Sequence, residues 1–589
     1  MIDQSASSAS TFVLCTQSLD PNLSADERQD QMLQCIASSL DDAKAGINTF
    51  YLIYAASLVF YMQAGFAMLC AGSVRMKNLQ NTMLKNLLDA CGASLGFYTV
   101  GYAFAWGGSS NNSGTTFIGT ENFFLMDVDQ KAFWLFQFAF AATSATIVAG
   151  TLAERCQMLA YLSYSTALTA FVYPVVAHAV WNNTGFLSSF RPDPLLGVGV
   201  VDFAGCLVVH TTGGLTALIA AFVLGPRKGR FHYDGDGKRC ANDFPGHSVA
   251  LKVLGVLILW FGWYGFNTGS VYYITSENQS DLAQNAAVNT TLAAASGTIS
   301  ALLAKAWLVE RETGEAVFCL AHALMGCLSG LVSITGSCAY VESWAAIIIG
   351  FVSGLLYLAG SRLMIRIGID DAVDAIPIHM IGGIWGSIAV GLFTVPKYLD
   401  ASHAQAGSAG LFYSDGKLLA CQFIGILFVV GWVSVLMFPF FAILHYLGWL
   451  RADSLEEIVG LDVSYHGGIH QGDTDNESSH QDEERQYYER RELERRKKQN
   501  RVRRRLLMMD LSVSGRSAVG DAGNNDGSRR LSGNGGLAGE NRAENNGADS
   551  NRRSSGSGTA QDEENRTNGS RQPSVIEVEE NWTCHDHSG

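Results

Sequence analysis

The sequence predicts an all-α membrane protein, and the distribution of apolar and charged residues supports this. Hydrophobic residues make up 48 % of the 589-residue chain and charged residues 16 %, and the charges are concentrated after Arg451. A soluble enzyme could not bury such long apolar runs, whereas stretches of about 20 residues can each span a bilayer. We expect eleven transmembrane helices, at about 49–72, 84–106, 132–152, 158–178, 200–224, 249–270, 286–307, 315–337, 343–362, 377–396 and 419–448.

The eleven predicted spans divide into two halves and one extra helix. Five spans precede a long basic loop at 225–248 and five follow it. Because each half has an odd number of spans, the second half enters the membrane inverted relative to the first. Inverted repeats place the substrate site near the midplane between the halves.

Basic residues predict the orientation. They concentrate in alternate loops, from Arg75 and Lys77 after the first span to Arg362 and Arg366 after the ninth, which places these loops in the cytosol. The expected organisation is an extracellular segment at 1–45, a membrane domain at 46–450, a regulatory cytosolic segment at 451–475 and a largely disordered tail at 476–589. The basic run at 501–505 could contact membrane lipid or form a solvated helix. No nucleic-acid partner is expected.

Sequons and cysteines add two expectations about the outer face. The sequons begin at Asn22, Asn111, Asn182, Asn278 and Asn289, on or near that face, and predict a glycoprotein. The twelve cysteines show no metal or redox spacing, so no metal or cofactor is expected. Cys15 and Cys35 are the two cysteines of the predicted outer segment, where a disulfide within or between subunits could form.

Two of the histidines within predicted spans begin the same short motif. His210 and His379 both open a His-x-x-Gly-Gly sequence, one in each half of the chain. An ionisable residue in lipid is costly, so function is its default explanation. A neutral imidazole pair can share a proton and offer hydrogen bonds to a small polar solute. The alternatives are haem ligation and a core polar contact.

Aromatic residues near the predicted outer face form a second candidate site. Trp181 ends span four, Phe136 and Phe140 lie one turn apart on span three, and Phe266 and Ser270 repeat that spacing on span six. Aromatic faces attract a cation, with a contribution of about 0.5–2 kcal/mol. The alternative for each ring is ordinary membrane packing. Together with the histidines, these residues predict recruitment of a monovalent cation.

Acidic residues near the two histidine segments have structural and chemical interpretations. Asp202 precedes His210 by eight residues, and we expect it to cap the helix or to influence the outer site. The sequence from Asp370 to Asp374 looks like the DDxxD motif of isoprenoid enzymes, but a second acidic cluster is missing. Helix capping at the start of span ten is the favoured interpretation, and the protein is not expected to be an enzyme.

Several motifs resemble the ammonium transporter family (Amt/MEP/Rh) across about 45–470. The matching sequences are Phe136-Gln-Phe-Ala-Phe140, Leu152-Ala-Glu-Arg155, Asp202-Phe-Ala-Gly205 with His210, Trp263-Tyr-Gly-Phe-Asn-Thr-Gly-Ser270, Asp370-Asp371 with His379, and Gly460-Leu-Asp-Val-Ser-Tyr-His-Gly467. The last is similar to the plant-type Amt branch. Pro377 departs from the family pattern before His379.

The resemblance implies an eleven-span homotrimer at the plasma membrane, with a separate pore in each subunit. It implies that Trp181, Phe140 and Ser270 bind ammonium, that Phe140 and Phe266 form the gate, and that ammonia passes the two histidines. Methylammonium is a further expected substrate. Two alternatives stay open: an Rh-like bidirectional channel for ammonia or carbon dioxide, and an ammonium sensor with a signalling tail.

The resemblance also implies a switch in the cytosolic segment. Ser464 occupies the position at which similar plant-type transporters carry a phosphorylated threonine. The segment is expected to dock on the cytosolic loops of the neighbouring subunit, and a kinase is an expected partner. Phosphorylation would add a charge of about −1.5 to −2 at this contact. A polar linker role for Ser464 is the alternative.

Overall fold

The structure is a computed structural model that describes residues 15–22, 24–108, 114–235, 237–400, 407–414 and 416–467. The chain divides into two units, Met1–Tyr487 and Tyr488–Gly589, and all the described residues belong to the first. The second unit, the predicted tail at 476–589, the basic run at 501–505 and the sequon at Asn111 lie outside the described residues.

Long helices dominate the described residues, and a helix lies at each predicted span. They are labelled here α1 (Ala25–Ser73), α2 (79–106), α3 (Lys131–Thr151), α4 (Met158–Trp181), α5 (Cys206–Leu224), α6 (Val249–Gly269), α7 (Glu277–Thr313), α8 (Leu320–Ile334), α9 (Ser343–Ile367), α10 (Ile376–Phe393) and α11 (Lys417–Tyr446). Nine of these, all except α2 and α8, are long and apolar enough to cross a membrane. The protein is therefore a helical multi-pass membrane protein.

The first helix differs from its prediction. It begins at Ala25, whereas the sequence analysis placed the first span at about 49–72. The side chain of Ser24 accepts a hydrogen bond from the backbone of Glu27, and the Glu27 carboxylate accepts one from the backbone of Ser24. This capping box starts the helix early, and the following polar residues change its surface without ending it. Much of the predicted segment at 1–45 is therefore continuous with the first span.

Four of the helices contain a π turn, in which one extra residue is wound into the helix. The π turns lie at Phe97–Gly101 in α2, Leu168–Val172 in α4, Cys206–Thr211 in α5 and Ile376–Ile381 in α10. Such turns are often found at functional sites. The last two contain His210 and His379.

The helix packing brings corresponding helices of the two predicted halves together. The first helices, α1 and α6, pack along each other over much of their length, and the last helices, α5 and α10, cross. Helix α11 packs outside, against α5 and α10. The loop between α5 and α6 forms an antiparallel hairpin, β1 (Phe231–Tyr233) with β2 (Arg239–Ala241), in which Phe231 pairs with Ala241.

A buried ionic cluster joins the ends of four helices. Glu154 after α3 pairs with Arg75 after α1, and at 2.9 Å with Arg227 after α5. Arg227 also holds Asp370 after α9 through its Nε, 2.8 Å from a carboxylate oxygen. Burial opposes ionisation of Asp370, but nearby Arg155 and Arg227 outweigh it and hold its pKa below the ordinary value. The ends of α1, α3, α5 and α9 therefore meet on one face.

The segment after α11 docks on the same face. Glu457 accepts hydrogen bonds from Arg451, at 2.9 Å, and from the backbone of Lys228, at 2.5 Å. Two short helices follow, Ser454–Val459 and Leu461–His466. The end of α11 therefore joins the same cluster.

Candidate functional site

The outer aromatic residues predicted from sequence lie together. The Trp181 ring meets the Phe140 ring edge to face, with centroids 6.0 Å apart, and its indole donates to the Asp202 carbonyl at 2.6 Å. Phe136 lies behind Phe140, at 4.7 Å between centroids. Ser270 follows the last residue of α6, and its hydroxyl donates to the Phe266 carbonyl at 2.9 Å. The Ser270 oxygen can still accept a hydrogen bond from a solute.

Two phenylalanines stack directly inside this site. The rings of Phe140 and Phe266 are 4.0 Å apart and within 16° of parallel, and both are buried. This geometry puts an apolar barrier between the aromatic site and the histidines. A hydrated cation cannot keep its water shell there.

The two histidines meet below the barrier. Their Nδ1 atoms are 3.1 Å apart, and their rings are nearly parallel. His210 lies against Phe266 on one side and stacks on Trp263 at 5.4 Å. His379 opens onto a narrow cavity lined by Phe66, Thr146, Val373 and Ile378, among others. Trp263 was missed by the sequence analysis, although it lies three residues before Phe266 on one helix.

Glycines explain how the histidine rings can meet. A Cβ added to Gly214 would lie 2.3 Å from the Met380 backbone nitrogen, and one added to Gly383 would lie 2.4 Å from the Cys206 carbonyl. Each glycine thus lies against the backbone of the opposite helix, where any side chain would force the helices apart. The second glycine of each repeated motif therefore lies at the contact where α5 and α10 cross, while the first glycines, Gly213 and Gly382, face α3 and α8.

Asp202 caps the histidine helix of the first half. One carboxylate oxygen accepts from the backbone N–H groups of Gly205 and Cys206, and the other from those of Leu207 and Val208, all at 2.9–3.0 Å. Asp202 lies before the helix, which begins at Cys206, so the predicted span at 200–224, which put Asp202 on one helix with His210, began too early. The capping interpretation agrees with these contacts.

Asp371 is the counterpart of Asp202 in the second half. It lies eight residues before His379, and its carboxylate accepts from the Ile376 backbone at 2.7 Å. The sequence analysis did not match these two acids, although the equal spacing was available. The acids of the DDxxD-like sequence have separate partners: Asp370 binds Arg227, Asp371 caps α10, and Asp374 accepts from Tyr357 and Ser361.

The Ser464 region docks on the same chain. The Asp462 carboxylate accepts from the backbone N–H groups of Gln80 and Asn81, at 2.9 and 2.8 Å, and so caps the start of α2. The backbone N–H of Leu461 donates to the Asn78 side chain at 2.9 Å. Ser464 is buried, and its hydroxyl donates to the Gly460 carbonyl at 2.9 Å.

The remaining predicted features, the cysteine pair and the sequons, lie away from the aromatic residues and the histidines. Cys15 and Cys35 are joined by a disulfide within one chain. Of the predicted sequons, Asn22 and Asn278 are exposed, whereas Asn182 and Asn289 are buried and donate to backbone carbonyls. Glycosylation at Asn182 and Asn289 is incompatible with this fold.

Comparison with known proteins gives the family. The Ammonium Transporter Family matches residues 49–470. This chain belongs to the ammonium transporter family. Ammonium transporter 3 of Dictyostelium discoideum is 40 % identical over 430 residues, which cover 72 % of this chain and 93 % of the relative. Ammonium transporter 1 member 1 of Arabidopsis thaliana is 42 % identical over 430 residues, which cover 70 % and 83 %.

Solved structures support the same assignment. A structure described as a sensor Amt protein superposes with a TM-score of 0.63 at 32 % identity, and covers 72 % of this chain and 100 % of its own. Candida albicans Mep2 superposes with a TM-score of 0.60 at 28 % identity, covering 69 % of this chain and 86 % of its own. The resemblance found in the sequence is confirmed, and the relatives place the chain in the plant-type Amt branch of the ammonium transporter family.

Proposed function

We propose that this protein binds ammonium at Trp181, Phe140 and Ser270, removes a proton, and conducts ammonia past His210 and His379 into the cytosol. The observation that carries the proposal is the contact between the two histidine Nδ1 atoms, 3.1 Å apart directly behind the Phe140–Phe266 stack. This arrangement supports the proposal because the aromatic residues, the apolar stack and the histidine pair follow one another in the order that recruitment, deprotonation and conduction require.

The outer site is suited to a small cation that can donate hydrogen bonds. The faces of Trp181 and Phe140 attract positive charge, at about 0.5–2 kcal/mol. The Ser270 oxygen accepts an N–H bond. Ammonium and potassium both carry one positive charge, so this site alone separates them only in part.

The barrier supplies the remaining selectivity. Moving a bare cation into an apolar constriction costs many kcal/mol, whereas a neutral polar molecule costs about 2–7 kcal/mol. Ammonium can release a proton and cross as ammonia, and potassium cannot. Nε2 of His210 is buried and has no hydrogen-bond partner among the described residues, so it is available to a passing solute.

The ionic cluster supports eleven membrane crossings. The ends of α1 and α3 lie on one face, so α2 crosses if α3 does. The ends of α5 and α9 share that face too, which requires an even number of crossings between them. Since α6, α7 and α9 are three candidate spans, α8 supplies the fourth. The packing of α1 with α6 and of α5 with α10 supports an inverted five-plus-five repeat.

Eleven crossings, an odd number, support termini on opposite sides of the membrane. With the basic loops in the cytosol, the N-terminal segment is extracellular, and glycosylation is restricted to the exposed Asn22 and Asn278 among the described sequons. We place the protein in the plasma membrane as a homotrimer. Phosphorylation of Ser464 by a kinase would close the pores.

Uptake and current measurements test the proposal. Expression should restore growth of an uptake-deficient cell on ammonium, and the same protein should give a saturable, ammonium-dependent current. Flux without current would support the Rh-like channel instead. A surface-localised protein with negligible flux, and with signalling lost when 471–589 is deleted, would support the sensor.

A further inference from the structure

Helix α1 is much longer than a membrane crossing. Its 49 residues rise about 1.5 Å each, giving about 74 Å, while a hydrocarbon core of about 30 Å needs about 20 residues. The helix ends at Ser73, next to the ionic cluster. Counting back about 28 residues, enough for the core and both headgroup layers, reaches residue 45 or so. Residues 25–44, here called the arm, therefore project beyond the bilayer.

Helix α1 carries an apolar stripe with a heptad spacing, which begins on the arm and continues into the span. The stripe consists of Leu33, Ile36, Leu40, Ala43, Ile47, Phe50 and Tyr54, separated by alternating steps of three and four residues. All seven are exposed: Leu33 at 57 %, Leu40 at 54 % and Phe50 at 71 %. Between them lie polar residues such as Asp41, Asp42 and Lys44. Large apolar side chains this exposed in water are costly, which indicates a partner.

The stripe points away from the protein's own bundle. On the bundle side, Asn48 donates to Thr275 at 2.9 Å, Tyr51 donates to the Thr268 carbonyl at 2.7 Å, and Leu52 is buried. At about 100° per residue, the centre of the stripe lies roughly a third of a turn around the helix from the average direction of these three residues. Lipid cannot cover the part of the stripe that lies on the arm, because the arm is outside the bilayer.

We infer that the arms of three copies of this chain wind into a parallel, three-stranded coiled coil along the axis of the trimer. This inference rests on the trimer in the proposed function. A sustained 3.5-residue apolar repeat specifies a left-handed supercoil between helices. All copies cross the membrane in the same direction, so their arms are parallel and in register. The stripe continues through Phe50 and Tyr54 toward the membrane, so one contact face runs from the arm into the span.

The residue types favour three strands over two. Leu33 and Leu40 occupy the a positions, and Ile36 the following d position; leucine at a with isoleucine at d shifts the preference away from dimers. The flanking e and g positions hold small or uncharged residues such as Ala37, Ser39 and Gly46, apart from Lys44. Cys35 lies at a c position, so its disulfide with Cys15 is outside the seam.

Cysteine cross-linking in the full-length protein tests the seam. Leu40→Cys puts a thiol on the stripe, and Ser38→Cys puts one at an exposed position off the stripe. Both variants keep the native cysteines, and the wild-type protein gives the background. After oxidation with copper phenanthroline in membranes, Leu40→Cys should give a cross-linked dimer band several-fold stronger than Ser38→Cys. Equal or reversed yields would overturn the coiled coil.

A second pair of variants measures whether the seam holds the subunits together. Leu33→Asp with Leu40→Asp adds two charges on the stripe, and Gln34→Asp with Ser38→Asp adds the same charges off it. The first pair should lower the temperature at which trimers dissociate in detergent, and the second should leave it near the wild-type value. Equal temperatures would contradict the inference.

The outcomes separate this inference from the proposed function. A stable trimer without preferential Leu40→Cys cross-linking would refute the coiled coil alone. A monomeric wild-type protein would refute both the coiled coil and the proposed assembly. Preferential cross-linking in a protein that carries no ammonium would support the coiled coil and refute the proposed transport.

Discussion

A single shared proton governs the histidine pair. With their Nδ1 atoms 3.1 Å apart, one imidazole donates and the other accepts, an arrangement that two neutral rings can make and two protonated rings cannot. Their Nε2 atoms then offer a solute one hydrogen-bond donor and one acceptor. A neutral lining suits ammonia and gives nothing to compensate a bare cation. The pair therefore acts on selectivity more than on affinity.

An acidic residue in place of either histidine should weaken that selectivity. His210→Asp or His379→Asp puts a carboxylate beside the path, which stabilises a positive charge there. Potassium current should rise relative to ammonium current. His445→Asp is the control, since His445 is exposed on α11. Ion-substitution recordings on surface-matched cells measure the ratio, and an unchanged ratio in both pore variants would mean that the histidines only pack.

The cap at Asp202 should contribute to stability. Asp202→Ala leaves four buried backbone N–H groups without their carboxylate, which we expect to cost about 2 kcal/mol or more. Asp202→Asn keeps one acceptor oxygen and should have a smaller effect. Thermal unfolding in detergent gives the comparison, with the exposed Asp193→Ala as control. Unfolding temperatures equal to wild type would show that the cap is dispensable.

Sequence reasoning singled out candidate side chains that the fold brings together, but it missed the groups that support them. Trp181, Phe140, Ser270 and the histidines carry recognisable chemistry, and the repeated motif marked the latter. The sequence does not state which backbone groups meet in space. The cap by Asp371 and the stack of Trp263 on His210 depend on how α5, α6 and α10 cross, which only the fold decides.

At the level of helices, apolar length was a sufficient guide within the membrane. The predicted spans overlap the observed helices because a run of about 20 apolar residues can satisfy its backbone hydrogen bonds in lipid by forming a helix and in few other ways. Outside the membrane this signal disappears. The arm of α1 was missed because its charged residues were read as a boundary, although the Ser24–Glu27 capping box marked an earlier start.

The short helix Leu461–His466 should act as a removable contact. Ser464 is buried and its hydroxyl is bonded to Gly460, so a phosphate cannot fit without displacing the helix. The Asp462 cap on α2 would be lost with it. Ser464→Asp should abolish uptake while Ser464→Ala keeps it. Labelled methylammonium uptake at equal surface abundance tests this, and normal transport by the Asp variant would refute a switch at this site.

Across the whole molecule, the ionic cluster is the contact that joins the loops of both halves. Removing one partner of a buried ion pair leaves an uncompensated charge, which typically costs about 3–5 kcal/mol. Asp370→Asn should therefore destabilise the protein more than the exposed Asp193→Asn. Thermal unfolding at pH 7 measures this difference. Equal unfolding temperatures would show that Arg227 finds sufficient compensation in Glu154.

Low pH should weaken the ionic cluster around Asp370. The folded pKa of Asp370 lies below its ordinary value because Arg155 and Arg227 outweigh burial. Its contribution is therefore complete above the unfolded pKa of about 4 and is lost as the pH falls toward the folded value. The unfolding temperature of the wild-type protein should fall below about pH 4, and that of Asp370→Asn should fall less. Parallel curves would assign the acid sensitivity to other groups.

The π turns around His210 and His379 each hold one residue more than an α-helical turn. Deleting one residue inside such a turn would let the ordinary hydrogen-bond pattern reform while the helix on either side keeps its orientation. A deletion elsewhere in α5 or α10 has no extra residue to absorb it and would rotate everything on one side by about 100° around the helix axis. A relative with a one-residue gap inside the π turn would therefore keep the packing of these helices and lose the wider turn that carries the histidine.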